Sequence, residues 1–243
     1  MHKHMGTGVW FIRNASQLPA EEDLAGGTYV VQPFREQRMG QGAYFRRHEI
    51  RLYLALTSVT PLRLYAYREP WVNLAHRRYD PSAPTPDKCM LDTHAHMRGC
   101  RSEGLDDARR APSFDEFCAR HDLDAARRRR FERSARDAIA QVVEAAQPTV
   151  AAHPVNAGVV ESGAACFSFM RADLFVGADG EAGIYEINEF PFANEKGSHA
   201  NRVQGRAYHD LFEMMGLDRP ALPAEERGEY EASHLGGWIP LFD

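Results

Sequence analysis

CFSFMRADLFVGADGEAGIYEINEFP, residues Cys166 to Pro191, decides how the chain is read. Phe167, Phe169, Phe175 and Val176 are strand formers and Gly177-Ala178-Asp179-Gly180 is a turn, so the stretch reads as two antiparallel strands. The second, Gly183 to Glu189, carries acid where a core strand carries Val or Leu. Glu186 and Asn188 are two apart and leave the same strand face. Asp173, on the first strand, is placed to lie opposite them. Two carboxylates and an amide oxygen converging from rigid strands form a hard, all-oxygen site. Mg²⁺ takes such a site and completes its shell with water and phosphate oxygens. The plainer reading is a hairpin whose acids face water. Apolar Ile184, Tyr185 and Ile187 weigh against it, because they imply a buried strand, where unpaired acid is costly.

The 243 residues suffice for one large domain or one and a half ordinary ones. No apolar run approaches the length of a membrane span, and MHKHMGTG is no signal peptide. Cys89, Cys100, Cys118 and Cys166 show no CxxC pairing and are expected to be reduced thiols of a cytoplasmic protein. The formal charge of -5 leaves room for local basic surface. His2-x-His4 and His94-x-His96 have close spacing but no obvious third ligand, so they read as ordinary histidines before zinc ligands.

Taken in order, Gly6-Thr7-Gly8 precedes an apolar strand, Val9 to Ile12. Its glycines either bring backbone N–H groups to phosphate oxygens or simply make a tight turn. Ser16 to Leu24 reads as a short helix, and Thr28 to Gln32 as a second strand stopped by Pro33. Arg35 to Gly42 looks like a hinge. The strongest alternation follows: Ile50, Leu52, Leu54 and Leu56 against Arg51, Tyr53, Ala55 and Thr57. Pro61 lies in a turn, Leu62 to Arg68 returns, and Trp71 to Ala75 adds a further strand. Arg51 is a solvated edge residue or a phosphate clamp, for which a guanidinium fork is suited. Tyr79 to Pro112 reads as loop. Ser113-x-x-Glu116 forms a capping box, and Asp124 caps a helix running to about Ala146, with Pro148 just past its end. Arg127 to Arg130, Arg133 and Arg136 make that helix basic, as a solvated face or as a docking surface for an acidic partner. Ala200 to Met215 closes the fold as a helix. The tail from Asp218 reads as irregular until Trp238, Ile239, Leu241 and Phe242 dock back.

GTGVWFI, TYVVQPF, RHEIRLYLALTSVTPLRLYAYRE, MLDTHAH and the hairpin, in that order, resemble the tubulin tyrosine ligase-like family, which has the ATP-grasp fold. The resemblance implies an α+β, ATP-grasp-like chain: a mainly antiparallel sheet flanked by helices, with the N-terminal lobe largely missing. Residues 1–34 would be a remnant of the central lobe, with the glycine-rich loop and hinge strand, and 35–243 the C-terminal domain. It implies ATP and Mg²⁺ as cofactors and a carboxylate–amine ligation through an acyl phosphate. Gly6 and Gly8 would approach phosphate, and Gln32 and the backbone at Phe34 would meet adenine. Arg47, Glu49 and Arg51 would point towards the phosphates and the reacting carboxylate. Arg68 would stabilise the γ-phosphate or the acyl phosphate from the same cleft as Arg51. Asp173, Glu186 and Asn188 would hold Mg²⁺. The implied partners are ATP, a free amino acid and tubulin or another acidic protein tail, with neither nucleic acid nor membrane, in a cytoplasmic and microtubule-associated setting.

The sequence departs from the family at Glu49-Ile50-Arg51, where the family has Asp-x-Arg, at Met90 to His94, and at Pro33, which replaces a usual Lys. The lysines of the family's other lobe have no counterpart, so the isolated polypeptide is expected to bind ATP weakly and to lack ligase activity. A non-catalytic nucleotide- or tubulin-binding module is the competing class.

Overall fold

The computed structural model describes residues 10–12, 14–20, 27–31, 33–83, 88–91, 93, 100–101, 103–105, 111–153, 166–189, 191, 198–218, 220 and 222–242. The Ile50-to-Leu56 alternation produces the strand on which the sheet is built, β1 (His48–Val59). The chain turns at Pro61 and returns as β2 (Leu62–Tyr67), then continues along the same side of β1 as β3 (Trp71–Leu74). The hairpin forms, with β4 (Ser168–Val176) beside β1 and β5 (Ala182–Glu189) at the edge. β5 is not the buried strand that Ile184, Tyr185 and Ile187 imply, because it has a neighbour on one side only, and Tyr185 and Glu186 are exposed. A C-terminal strand, β6 (Trp238–Pro240), pairs with β2, so the Trp238 tail does dock back. All these pairings are antiparallel, in the order β5-β4-β1-β2-β6.

Period two divides β1 between two cores. Ile50 and Leu54 face one, with Leu174, Phe117, Phe131 and Ile139. That core is roofed by α1 (Phe114–Arg120) and α2 (Ala125–Ala151), capped by Ser113 and Asp124 as expected. Tyr53 and Ala55 face the other, with Phe169, Val203, Ala207 and Leu211. Here the roof is α3 (His199–Met214), capped by Ser198. The site residues Glu49, Arg51 and Asp173 belong to this second face by alternation.

Several expectations are corrected. Trp10 to Ile12 and residues 28–31 are not strands; Val30 and Val31 are 86% and 82% exposed. Apolar β-branched residues form a strand only when a neighbour supplies the ladder; here the Trp10 and Tyr29 rings meet edge to face, 5.5 Å apart. Among the described residues of the polar run from Ser16, the secondary structure is a 3-10 turn, Ala15–Gln17. α2 runs through Pro148, which lies inside its last turns. The segment after Asp218 is not irregular, since α4 (Ala224–Ser233) lies in it. Its Glu231 is 2% exposed and accepts bonds from Thr57, Arg63 and Tyr65 on β1 and β2. Nor are all four cysteines thiols: Cys89 and Cys100 are joined, with Cα atoms 5.7 Å apart. Cys118 and Cys166 remain free, and burial pushes the Cys118 thiol up to about 11. His2, His4, His94 and His96 lie outside the described residues. Among the described residues, no helix is long and apolar enough to cross a membrane.

Two buried histidines meet where β1 packs on the helical roof, the His48 ring lying 4.7 Å from Phe117 and 5.4 Å from His121. His48 Nε2 accepts from Val176 N at 3.0 Å, which fixes His48 as the neutral ring protonated on Nδ1. His121 bonds Phe117 O through Nδ1 at 2.9 Å and stacks on the Phe117 ring. Burial holds His48 well below its ordinary value and His121 at about 4 instead of 6.5. The unfolded chain therefore binds protons that the fold refuses, and stability falls as pH drops through that window. For His121 alone the loss from pH 7 to pH 5 is about 2 kcal/mol. Urea unfolding at the two pH values should show it, and His121→Gln should shrink the drop; an unchanged drop in the variant would remove His121 as its source.

Candidate functional site

The register of three strands assembles the site. Arg51 on β1 lies opposite Asp173 on β4, and Asp173 lies opposite Glu186 on β5. Just beyond that pair β5 carries one extra residue: Asp173 matches Glu186, but Leu174 matches Ile184. The bulge lets Ile184 and Ile187 pack on the same core although they are three apart. It also frees Tyr185 to turn to the side of Glu186, against Phe175. Gly183 is required here, because a Cβ would collide with the Phe175 ring.

Asp173 is fully buried. Arg171, two residues earlier on the same face, donates Nε to Oδ1 at 2.6 Å and Nη2 to Oδ2 at 2.8 Å. Arg51 Nε lies 3.7 Å from Oδ1. Arg51 also bonds Glu49 Oε2 through Nε at 3.0 Å and Nη2 at 2.7 Å, and its guanidinium lies 4.8 Å over the Trp71 ring. The Thr93 hydroxyl donates to the same Glu49 oxygen at 2.8 Å. Burial, and then the charge of Glu49, push the Asp173 carboxyl above the ordinary carboxylate range; Arg171 and Arg51 oppose that shift. Each charge thus stands beside an opposite one, which is what permits so many ionised groups inside a sheet.

Asn188 stands at the centre. Its Nδ2 donates to Asp173 Oδ2 and to Glu186 Oε1, both at 2.9 Å. A partial positive charge therefore lies between two carboxylates. An amide's oxygen and nitrogen exchange places by a half-turn of the group. That turn would direct three oxygens, from Asp173, Glu186 and Asn188, at one point. The donor set is hard and two of its members are carboxylates, so the residues fit Mg²⁺.

Beside this cluster, Arg47 is 4% exposed and its guanidinium lies 4.1 Å over the Phe34 ring. It donates to Tyr185 Oη at 3.0 Å, and Gln37 donates to the same hydroxyl. Burial raises the Tyr185 phenol above its usual value. Arg68 is not brought to this cleft. It is exposed and lines a cavity on the opposite sheet face, with Leu52 and Leu174. The physical reason is alternation: Arg68 continues the face of Ala66, whereas Arg51 shares the face of Tyr53. Gly6, Gly8 and Gln32 lie outside the described residues. Arg171, Thr93 and Tyr185 were missed. Arg171 was readable, because Arg171 and Asp173 show the same two-residue spacing as Glu186 and Asn188. A lone threonine in a loop carries no such signal. A second group, His209, Asp210 and Glu213, is largely exposed on α3. Its Asp210 already accepts bonds from Tyr67 and Gly237.

Residues 1–225 match the model of the Tubulin-tyrosine ligase family. The chain belongs to that family. Mouse tubulin polyglutamylase TTLL6 is 22% identical over 240 residues, which are 91% of this chain and 27% of the relative. Xenopus tropicalis tubulin polyglutamylase TTLL7 is 22% identical over 208 residues, 77% of this chain and 21% of the relative. Caenorhabditis elegans tubulin polyglutamylase ttll-5 reaches 31% over 86 residues, 35% of this chain and 11% of the relative. The chain therefore spans at most 27% of the length of these tubulin-tyrosine ligase family relatives.

Within this family member, Arg171→Leu should leave Asp173 buried with the Asn188 bond and the more distant Arg51 and cost about 3 kcal/mol in urea unfolding. The double change Arg171→Leu with Asp173→Leu should recover most of that loss. A single variant as stable as the parent would mean that Arg51 and Asn188 suffice to hold the acid.

Proposed function

We propose that the Asp173–Glu186–Asn188 cluster is the metal-binding half of an ATP- and Mg²⁺-dependent carboxylate–amine ligase of ATP-grasp architecture, acting on tubulin or another acidic protein tail. The observation that carries this reading is the convergence of Asp173, Glu186 and Asn188 on one point beside two arginines. A surface hairpin gains nothing from burying an acid that needs Arg171 and Arg51 to hold it. Mg²⁺ at that point would neutralise charge on the phosphates and bring the terminal phosphorus to the acceptor carboxylate. Arg51 and Arg171 would face the oxygens that gain charge as the phosphoryl group moves. The acceptor carboxylate attacks the γ-phosphorus and releases ADP. The amine of the free amino acid then attacks the acyl carbon and expels phosphate. Glu49 would hold Arg51 in place, and the Phe34–Arg47 stack would border the nucleotide. The names of the relatives make glutamate the first amino acid to try.

A second reading has its own observation. Arg68, the residue expected to stabilise the transferred phosphoryl group, faces away from the cluster, which favours a module that binds nucleotide or tubulin without turnover.

One assay separates the two. The protein is incubated with Mg²⁺, ATP, tubulin and labelled glutamate, glycine or tyrosine, and Mg²⁺-ATP binding is measured by calorimetry. The ligase reading expects transfer that falls by about a hundredfold or more in Glu186→Gln, whose exposed position spares the fold. Binding without any transfer would establish the module reading, and neither binding nor transfer would overturn both.

A further inference from the structure

On the sheet face opposite the acidic cluster, a cavity of about 200 Å³ opens between β1, β2 and α2. Its walls are apolar: Ile50, Leu52, Phe131, Ile139, Leu174 and Leu241. Two arginines stand among the lining residues, Arg68 and Arg136, both exposed. On α2, Arg136 is joined by Arg129 and Arg133. At 100° per residue these three fall within about 60° of one another, a ridge about 10 Å long beside the cavity. The other arginines of this helix are engaged: Arg127 with Asp124, Arg128 with Asp115 and Glu132, and Arg130 with Glu181. Arg68, Arg129, Arg133 and Arg136 make no ion pair among the described residues, and all are exposed. Glu132, the one acid of the lining, is held by Arg128 Nε at 2.9 Å.

We propose that this face is a second binding site, for an acidic peptide segment that seats one aromatic or bulky aliphatic side chain in the cavity. The size suits one such group, since cavities of roughly 150 Å³ accept a benzene ring. The unpaired guanidiniums then meet flanking carboxylates, giving paired donors to each. A neutral apolar ligand would leave the arginines unused, and a featureless polyanion would leave the cavity unfilled. The site is independent of the proposed catalysis, because the β-sheet separates it from Asp173.

The test uses fluorescence anisotropy at low salt with three labelled heptapeptides: Glu₃-Phe-Glu₃, the same with Ala for Phe, and all-Glu. The Phe peptide should bind about tenfold more tightly than the other two, by the burial of one ring. Added salt should weaken binding. Arg133→Glu with Arg136→Glu should weaken it about tenfold or more, while circular dichroism and melting temperature stay unchanged. Glu186→Gln, on the opposite face, should bind the peptide like the parent. Equal affinity for all three peptides would overturn the cavity's role, and so would equal binding of a single-stranded oligonucleotide of matching charge. Unchanged affinity in the double arginine variant would overturn the site.

Discussion

A carboxylate with no exposed surface, in the middle of an antiparallel sheet, is the constraint around which this molecule is arranged. Asp173 could not stay ionised there alone. Arg171 reaches it from the same strand and Arg51 from the next. Arg51 in turn needs Glu49, Glu49 needs Thr93, and Trp71 supplies the aromatic floor under the guanidinium. Removing Asp173, Arg171, Arg51 or Glu49 unbalances the buried charges of the others, so these four behave as one unit. The register of β1, β4 and β5 is specified accordingly: a slip by one residue would place every one of these charges in the apolar core beneath α2.

The two faces of the sheet have different tasks. The face under α1 and α2 is built from Ile, Leu and Phe side chains and supplies the hydrophobic stabilisation. The other is apolar only in its half near α3, where Tyr53, Phe169 and Trp238 pack, and turns ionic towards the start of β1. His48 belongs to the first face and Arg47 and Glu49 to the second. Consecutive residues thus carry a neutral lock and a charged site. The C-terminal segment adds a further ionic tie, since Glu231 fastens α4 to the arginine, tyrosine and threonine of β1 and β2.

Much of this was legible because strand periodicity is a local property. The spacing of Glu186 and Asn188, the alternation of β1, and the caps Ser113 and Asp124 are each written within a few residues. What failed depends on partners distant in sequence. Residues 28–31 have the composition of a strand, but composition does not provide a neighbour. Cys89 and Cys100 carry no spacing motif that announces their bond. α4 is polar nearly all round, so its one inward residue, Glu231, leaves no stripe to detect. Arg68 could have been placed, because it follows Ala66 by two and Ala66 belongs with the core. Reading it by resemblance to a family overrode that local rule.

The extra residue in β5 works like a frameshift that is corrected at once. Before Tyr185 the strand is read in one phase, with Ala182 and Ile184 turned to the core; after it the phase is reversed, so that Ile187 serves the core and Glu186 and Asn188 serve the site. Side-chain identity alone therefore does not determine which residues reach the cleft, because their parity relative to position 185 decides it. Any alignment of this hairpin that opens or closes a gap on the wrong side of the bulge would still match letters while exchanging inside for outside.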